Sequence, residues 1–364
     1  MRYAMGMVRI SVAVLLLIAS HAFAWGGKEH VQLTRIAAQR LMDDPQTPPA
    51  MKLWLADIIP QKLAAAAERD FMLNASVQTD LNRSGGGVLY WVMEPDDVAQ
   101  NGARGAKVEP FGVHERLMHF IDLELFVAGS KQRKYKDDLS AKPLIEDIRR
   151  DWKDERYIQS GYLPFATEHA YQQLVRAIRE NRLKPSDGLG ARDDQSAMRW
   201  AGYLAHYLQD NTQPQHATVD YKSQSYFGSK RGAPNIHSEM EWRMVDDARQ
   251  NFPELRAEYW DAFTIALKEF KDPITTDDVW RASIEVSFIS YDALPLIGQA
   301  ALAAATKASD GAYNIDTVKF FSHTGIVDGQ EMSLLQLKAR QQAWAVKRTQ
   351  RMWLAAWIEA KGNN

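Results

Sequence analysis

The feature that most constrains this chain is the run His206-Tyr-Leu-Gln-Asp210-Asn-Thr-Gln-Pro-Gln-His216, followed by His237-Ser-Glu-Met-Glu241. His206 and Asp210 stand at i,i+4, and so do His237 and Glu241. Residues spaced this way lie one turn apart on one face of a helix. Each pair can aim an imidazole and a carboxylate at one point, as helical zinc motifs do. A lone pair of this kind is ordinarily a surface ion pair. Two pairs with a further histidine between them point to metal ligation.

The chain has no cysteine among its 364 residues. Any zinc here must be held by histidines, carboxylates and main-chain atoms, and no disulfide framework braces the fold. The net charge of -2 gives no bulk attraction to nucleic acid. Eleven Trp, 13 Tyr and 13 Phe supply ample core material. At the N-terminus, Arg2 and Arg9 precede the apolar run Ile10–Ala19, and Ala22-Phe23-Ala24 has the form of a cleavage site. This reads as a secretory signal peptide over residues 1–24. The run is too short to span a bilayer, and no later segment reaches ~18 uninterrupted apolar residues. The expectation is an exported protein, periplasmic or secreted, cleaved after Ala24 and starting at Trp25.

Apolar spacing predicts an all-α chain. Helices are expected at Lys28–Met42, Met51–Ala67, His114–Val127, Thr167–Asn181, Arg192–Asp210, His237–Gln250, Leu255–Phe270, Thr276–Ala293, Leu296–Lys307 and Met332–Lys361. Only Gly87–Met93 and Val318–Phe321 suggest strand, and weakly. Gly- and polar-rich loops flank the candidate ligands, notably Gln100–Pro110 and Ser223–Asn235. Residues 251–364 carry a single histidine, His323. They are expected to form a helical C-terminal extension packed on a metal-binding unit of residues 25–250. The last helix bears Trp344, Trp353 and Trp357 among Lys338, Arg340, Lys347, Arg348 and Arg351. Such a helix can lie on an anionic membrane or pack on the core, and the sequence leaves both open.

Trp25-Gly-Gly-Lys-Glu-His30, His119-Phe-Ile-Asp122, the His206/Asp210/His216 run and Asn235-Ile-His237-Ser-x-x-Glu241 together resemble the zinc-dependent phospholipase C and single-strand nuclease superfamily. The resemblance covers roughly Trp25 to Val245. It implies a multi-helical fold, three zinc ions at the bottom of a cleft and no organic cofactor. One zinc would take Asp96, His119, His206 and one oxygen of Asp210. A second would take the Trp25 amine and carbonyl, His30 and the other Asp210 oxygen. The third would take His216, His237 and Glu241. Asp97 is the alternative to Asp96, because Glu94-Pro-Asp96-Asp97 lies further upstream of His119 than the family pattern places its Asp. Asp210 as bridge and Asp96 as acceptor of the attacking water's proton are the implied catalytic carboxylates. Asp122 could orient His119 or pair locally. His114, His169 and His323 match no ligand.

The metals do not choose the substrate. The Trp25–His30 spacing, His119-Phe-Ile-Asp122, Thr212-Gln-Pro and Asn235-Ile-His237 are nuclease-like. Glu241 as last ligand, Ala217 after His216, and Tyr221-Lys-Ser-Gln-Ser-Tyr-Phe-Gly in place of a Gly-Gly-Asn segment are phospholipase-like. A choline head group needs an aromatic face and a carboxylate, for which Glu29 or Glu94 with Tyr90, Trp91 or Phe111 are candidates. The expected function is therefore phospholipase C acting on phosphatidylcholine-type lipids at a membrane surface. The alternatives are a single-strand-specific endonuclease or 3'-nucleotidase binding single-stranded nucleic acid, and an inactive zinc-stabilised binding protein.

Overall fold

The computed structural model describes residues 25–61, 86–101, 107–126, 145–152, 159–185, 195–228, 232–243 and 252–362. The signal-peptide reading and the division at residue 250 fall outside them. The fold is mostly helical. Helix α1 (Gly27–Asp43) is followed by α2 (Pro49–Ile58), α3 (Val88–Trp91), α4 (Glu94–Asn101) and α5 (Ile145–Asp151). Then come α6 (Leu163–Arg179), α7 (Ala197–Asn211) and the single turn α8 (Ile236–Ser238). The C-terminal part holds α9 (Pro253–Glu269), α10 (Val279–Tyr291), α11 (Leu294–Ala304), α12 (Thr317–Ser322) and α13 (Leu334–Lys361).

Helix α7 is the axis of the molecule. All but one of its residues are buried, and it packs on α1, α3, α6, α10 and α13. A helix buried on every side carries polar groups only where they are satisfied. Two amides of α7 are satisfied: Gln209 donates to Thr34 Oγ1, and Asn211 donates to Ser287 Oγ and accepts from Ser283 Oγ. Gln341 of α13 donates to the Thr212 carbonyl at its C-terminal end. Helix α13 also packs against α1, α6 and α9, and its Trp344, Trp353 and Trp357 are buried, so this helix belongs to the core. One apolar cluster runs from Trp25 and Leu33 through Ile236 to Tyr259 and Leu337. The span Val279–Ala304 is apolar enough by composition to cross a membrane, but it is two helices with most of the most apolar stretch buried.

Several expected helices take other forms. The described part of His114–Val127 holds two short 3-10 turns, Glu115–Met118 and Leu123–Phe126, joined by an irregular stretch. Its amides bond far along the chain: Ile121 donates to His216 O and Asp122 to Ser160 O, while Leu117 O and Phe120 O accept from Tyr162 and Leu163. Those long-range partners replace the i→i−4 ladder that the apolar spacing suggested. Of Met51–Ala67, the helix is described through Ile58, and residues 62–67 lie outside the described residues. Leu296–Lys307 ends its helix at Ala304, where residues 305–307 pair with Tyr313–Ile315. Gly87–Met93 and Val318–Phe321 contain helices, the latter N-capped by Asp316 accepting from Lys319 N. The described residues hold three antiparallel hairpins: Lys107–Val108 with Val113–His114, Ala305–Lys307 with Tyr313–Ile315, and Thr324–Val327 with Gln330–Ser333.

Candidate metal centre

Among the described residues, three buried groups of side chains could each hold a metal ion: His30, His206 and Asp210; Asp96, His119 and His206; His216, His237 and Glu241. Every side-chain ligand expected from the sequence is therefore in one of them. Asp96 is buried in α4, whereas Asp97 beside it is exposed.

Asp210, in the last turn of α7, faces three histidines. Its Oδ1 lies 3.4 Å from His30 Nε2. Its Oδ2 lies 2.9 Å from His119 Nδ1 and 3.2 Å from His206 Nε2. The two oxygens thus address different histidine sets, as a carboxylate bridging two metals would. Asp96 Oδ1 completes one set at 4.0 Å from His119 Nδ1 and 3.9 Å from His206 Nε2. In the third group Glu241 Oε2 is 2.9 Å from His237 Nδ1, and Glu241 Oε1 is 3.5 Å from His216 Nε2.

The other ring nitrogens are held from behind. His206 Nδ1 donates to Val92 O at 2.7 Å, His30 Nδ1 to Gln209 Oε1 at 2.7 Å, and His216 Nδ1 to His119 O. A metal-bound histidine is normally oriented by such a bond. Behind His119 stands Glu115, 3.9 Å from Nε2 and itself accepting from Tyr207 OH at 2.6 Å. Asp122 lines the cleft. Burial, then Glu124, hold its carboxyl well above the usual range. Gln213 supports the third group by donating to Glu241 Oε1 at 2.7 Å.

A cation fits these groups. His30 Nε2 and Asp210 Oδ1 are buried without a hydrogen-bond partner, as are Asp96 Oδ2 and His119 Nε2. His206 Nε2 and His119 Nδ1 stand 3.0 Å apart, and His216 Nε2 and His237 Nε2 stand 3.1 Å apart. Two imidazole nitrogens approach so closely only around a shared proton or a cation. The donors are imidazoles and carboxylates, which suit zinc without thiolate. Trp25 is fully buried beside the second group, its Nε1 3.4 Å from Thr212 Oγ1 and its neighbour Gly26 accepting from His30 N.

Without metal, protons do the bridging. Burial pulls His119 down, but Asp210, Asp96 and Glu115 outweigh it and raise its pKa to about 9. Burial likewise opposes His30, which Asp210 raises. Burial pushes Asp210 up, yet His206, His119 and His30 hold it well below the carboxylate range. Burial lowers His216 and His237 and raises Glu241 well above the usual value. The raised His119 stabilises the metal-free fold fully below pH ~6.5, and that contribution is lost as pH rises through about 9. Zinc must expel such protons, so calorimetric zinc titration at pH 7 is expected to release about one to three protons per chain. Heats independent of the buffer's ionisation enthalpy would show that His119, His30 and Glu241 carry none.

The groups open onto a cleft of about 460 Å³. Asp96, His119, His216 and His237 line its floor, with Arg116, Leu117, Phe120, Val219 and Tyr221 around them. His206 and Asp210 are completely buried behind that floor. Glu115, Gln209, Gln213 and Arg116 were not singled out from the sequence. Of these, only Gln209 and Gln213 carry a hint, since they flank Asp210 in the ligand run. Neither a protein-family model nor a curated protein matches the chain.

Proposed function

We propose that the chain is an exported, zinc-dependent phosphoric diester hydrolase of the phospholipase C type. Its substrates would be phosphatidylcholine-type lipids at a membrane surface, cleaved to diacylglycerol and a phosphorylated head group. The observation that carries this reading is the division of Asp210 between two histidine sets behind one cleft, with a third His/Glu group on the same floor. Three zinc ions would be held there, with the Trp25 amine and carbonyl completing the second site. Bound zinc supplies Lewis acidity, lowering the pKa of water toward 7 and offsetting charge on phosphoryl oxygens.

The side chains have separable roles in this reading. Asp96, with Oδ2 buried and unpartnered, takes the proton of the attacking water. Arg116 at the cleft wall pairs with a phosphate oxygen as a charge-assisted donor. Leu117, Phe120 and the exposed Val219 give the diacylglycerol moiety an apolar wall. Glu29 is withdrawn as a head-group carboxylate, because it is buried and paired with Lys338 at 2.8 Å. Tyr90 and Trp91 are also buried. Glu94 and Phe111 line a neighbouring cavity of about 410 Å³ with Trp200, Tyr203 and Tyr207. Arg199 already stands over the Trp200 and Tyr203 rings there, so of this cavity only Glu94 and Phe111 stay candidates for a quaternary ammonium.

The nuclease reading keeps one observation in its favour: Tyr221 stands edge-on to His237 at the cleft, where a base could stack. The two readings separate in one experiment. Zinc-loaded protein is expected to release phosphocholine from phosphatidylcholine vesicles and no nucleotide from single-stranded DNA or RNA. Nucleotide release without phosphocholine would establish the nuclease.

A further inference from the structure

Lys338 has no exposed surface, and it lies in α13, nearly a hundred residues beyond the last candidate ligand. Its Nζ is 2.8 Å from Glu29 Oε1, donates to Met240 O at 2.6 Å and reaches Glu241 O at 3.4 Å. The ammonium thus donates to two carbonyls of one turn and forms an ion pair with the Glu29 carboxylate. The same Nζ stands 5.4 Å from the Trp25 ring. The other Glu29 oxygen accepts from Gly26 N at 3.1 Å. One ammonium therefore ties the segment carrying Trp25 and His30 to the turn carrying His237 and Glu241.

Lysine is almost never fully buried unless paired. A buried ion pair is also a poor source of stability, because desolvation of both charges offsets their attraction. Its value lies in the geometry it imposes. After His237 the chain leaves α-helical register and runs as a π turn, Glu239–Arg243. Lys338 takes two carbonyls of that turn. In this register Glu241 faces both His237 and His216.

We infer that Lys338 and Glu29 form a positioning clamp that fixes the third metal group relative to the second, so that the C-terminal helix is an integral part of the metal centre. The inference rests on the reading that the three groups bind zinc. Lys338 touches neither metal nor substrate. It acts through the Met240 and Glu241 carbonyls, and Glu29 acts through the first turn of α1.

The test compares the wild-type protein, expressed from the full sequence, with Lys338→Met and with Glu29→Gln/Lys338→Met. The double variant leaves no lone buried charge, so it is expected to recover thermal stability that Lys338→Met loses. Both variants are expected to bind the third zinc about 10- to 100-fold more weakly in chelator competition, the usual cost of removing a supporting group. The cobalt-substituted double variant should also show altered d–d absorption. A double variant that binds three zincs with wild-type affinity and an unchanged cobalt spectrum would reduce the pair to a packing element and overturn the clamp. A wild-type protein that binds no zinc would instead overturn the metal reading itself, and the clamp with it.

Discussion

Asp210→Asn is expected to lower phosphodiester hydrolysis by on the order of 10³-fold or more, above the ~10²–10³ lost with one oxyanion donor. An amide keeps the shape of the side chain but removes its charge and one of its two acceptor oxygens. Asp210 needs both oxygens: Oδ1 faces His30, and Oδ2 faces His119 and His206. Zinc analysis is expected to show the third site filled and the two sites sharing Asp210 depleted. Stability should fall as well. In the metal-free protein the Asp210 carboxylate partners the proton that His119 carries up to about pH 9. Removing one member of a buried charged pair costs about 3–5 kcal/mol. The depressed Asp210 contributes above the ordinary Asp range and loses that contribution as pH falls through its folded value. The loss in Asp210→Asn should therefore be large at neutral pH and shrink under strong acid. Full activity with three bound zincs would refute the bridge.

The candidate ligands were legible because metal chemistry restricts both residue type and spacing. His206/Asp210 and His237/Glu241 show a helical period, and the structure places each pair within 3.2 Å. The supporting groups were not legible, because their spacing with the ligands is tertiary. Glu115 meets Tyr207 across the fold, and Lys338 meets Met240 from the far end of the chain. The helices α7 and α9 followed from apolar period alone. The segment around His119 did not, because its amides pair with Ser160 and His216 rather than along a helix. One error had a readable remedy. Asp310-Gly311 and Asp328-Gly329 are Asp-Gly turn signals, and each sits between paired strands. Asp328 and Gly329 both have positive φ, as the tight hairpin turn requires.

Gly202→Ala should show how closely the metal centre depends on packing behind it. On an exposed helix this change would stabilise by about 1 kcal/mol, since glycine is the poorer helix former. Here the sign is expected to reverse. A Cβ on Gly202 would meet Trp91 Cβ at 2.6 Å, Trp91 C at 2.7 Å and Val92 N at 2.8 Å. Two of these atoms are main chain, so no rotamer change relieves the contact and α3 must move off α7. The overpacking cost is about 1–3 kcal/mol. The displaced segment carries Val92 O, which holds His206 Nδ1 at 2.7 Å one turn along the same face. Zinc affinity at the sites using His206 should therefore fall about 10-fold or more, as when a histidine loses its orienting acceptor. Thermal melts with and without zinc separate the two effects, because bound metal adds stability that grows with the logarithm of its affinity. An equal loss in both melts would mean that α3 moves without turning His206. A higher melting temperature in both would mean that the two helices have room for a methyl group, and the close approach would then have no part in holding the ligand.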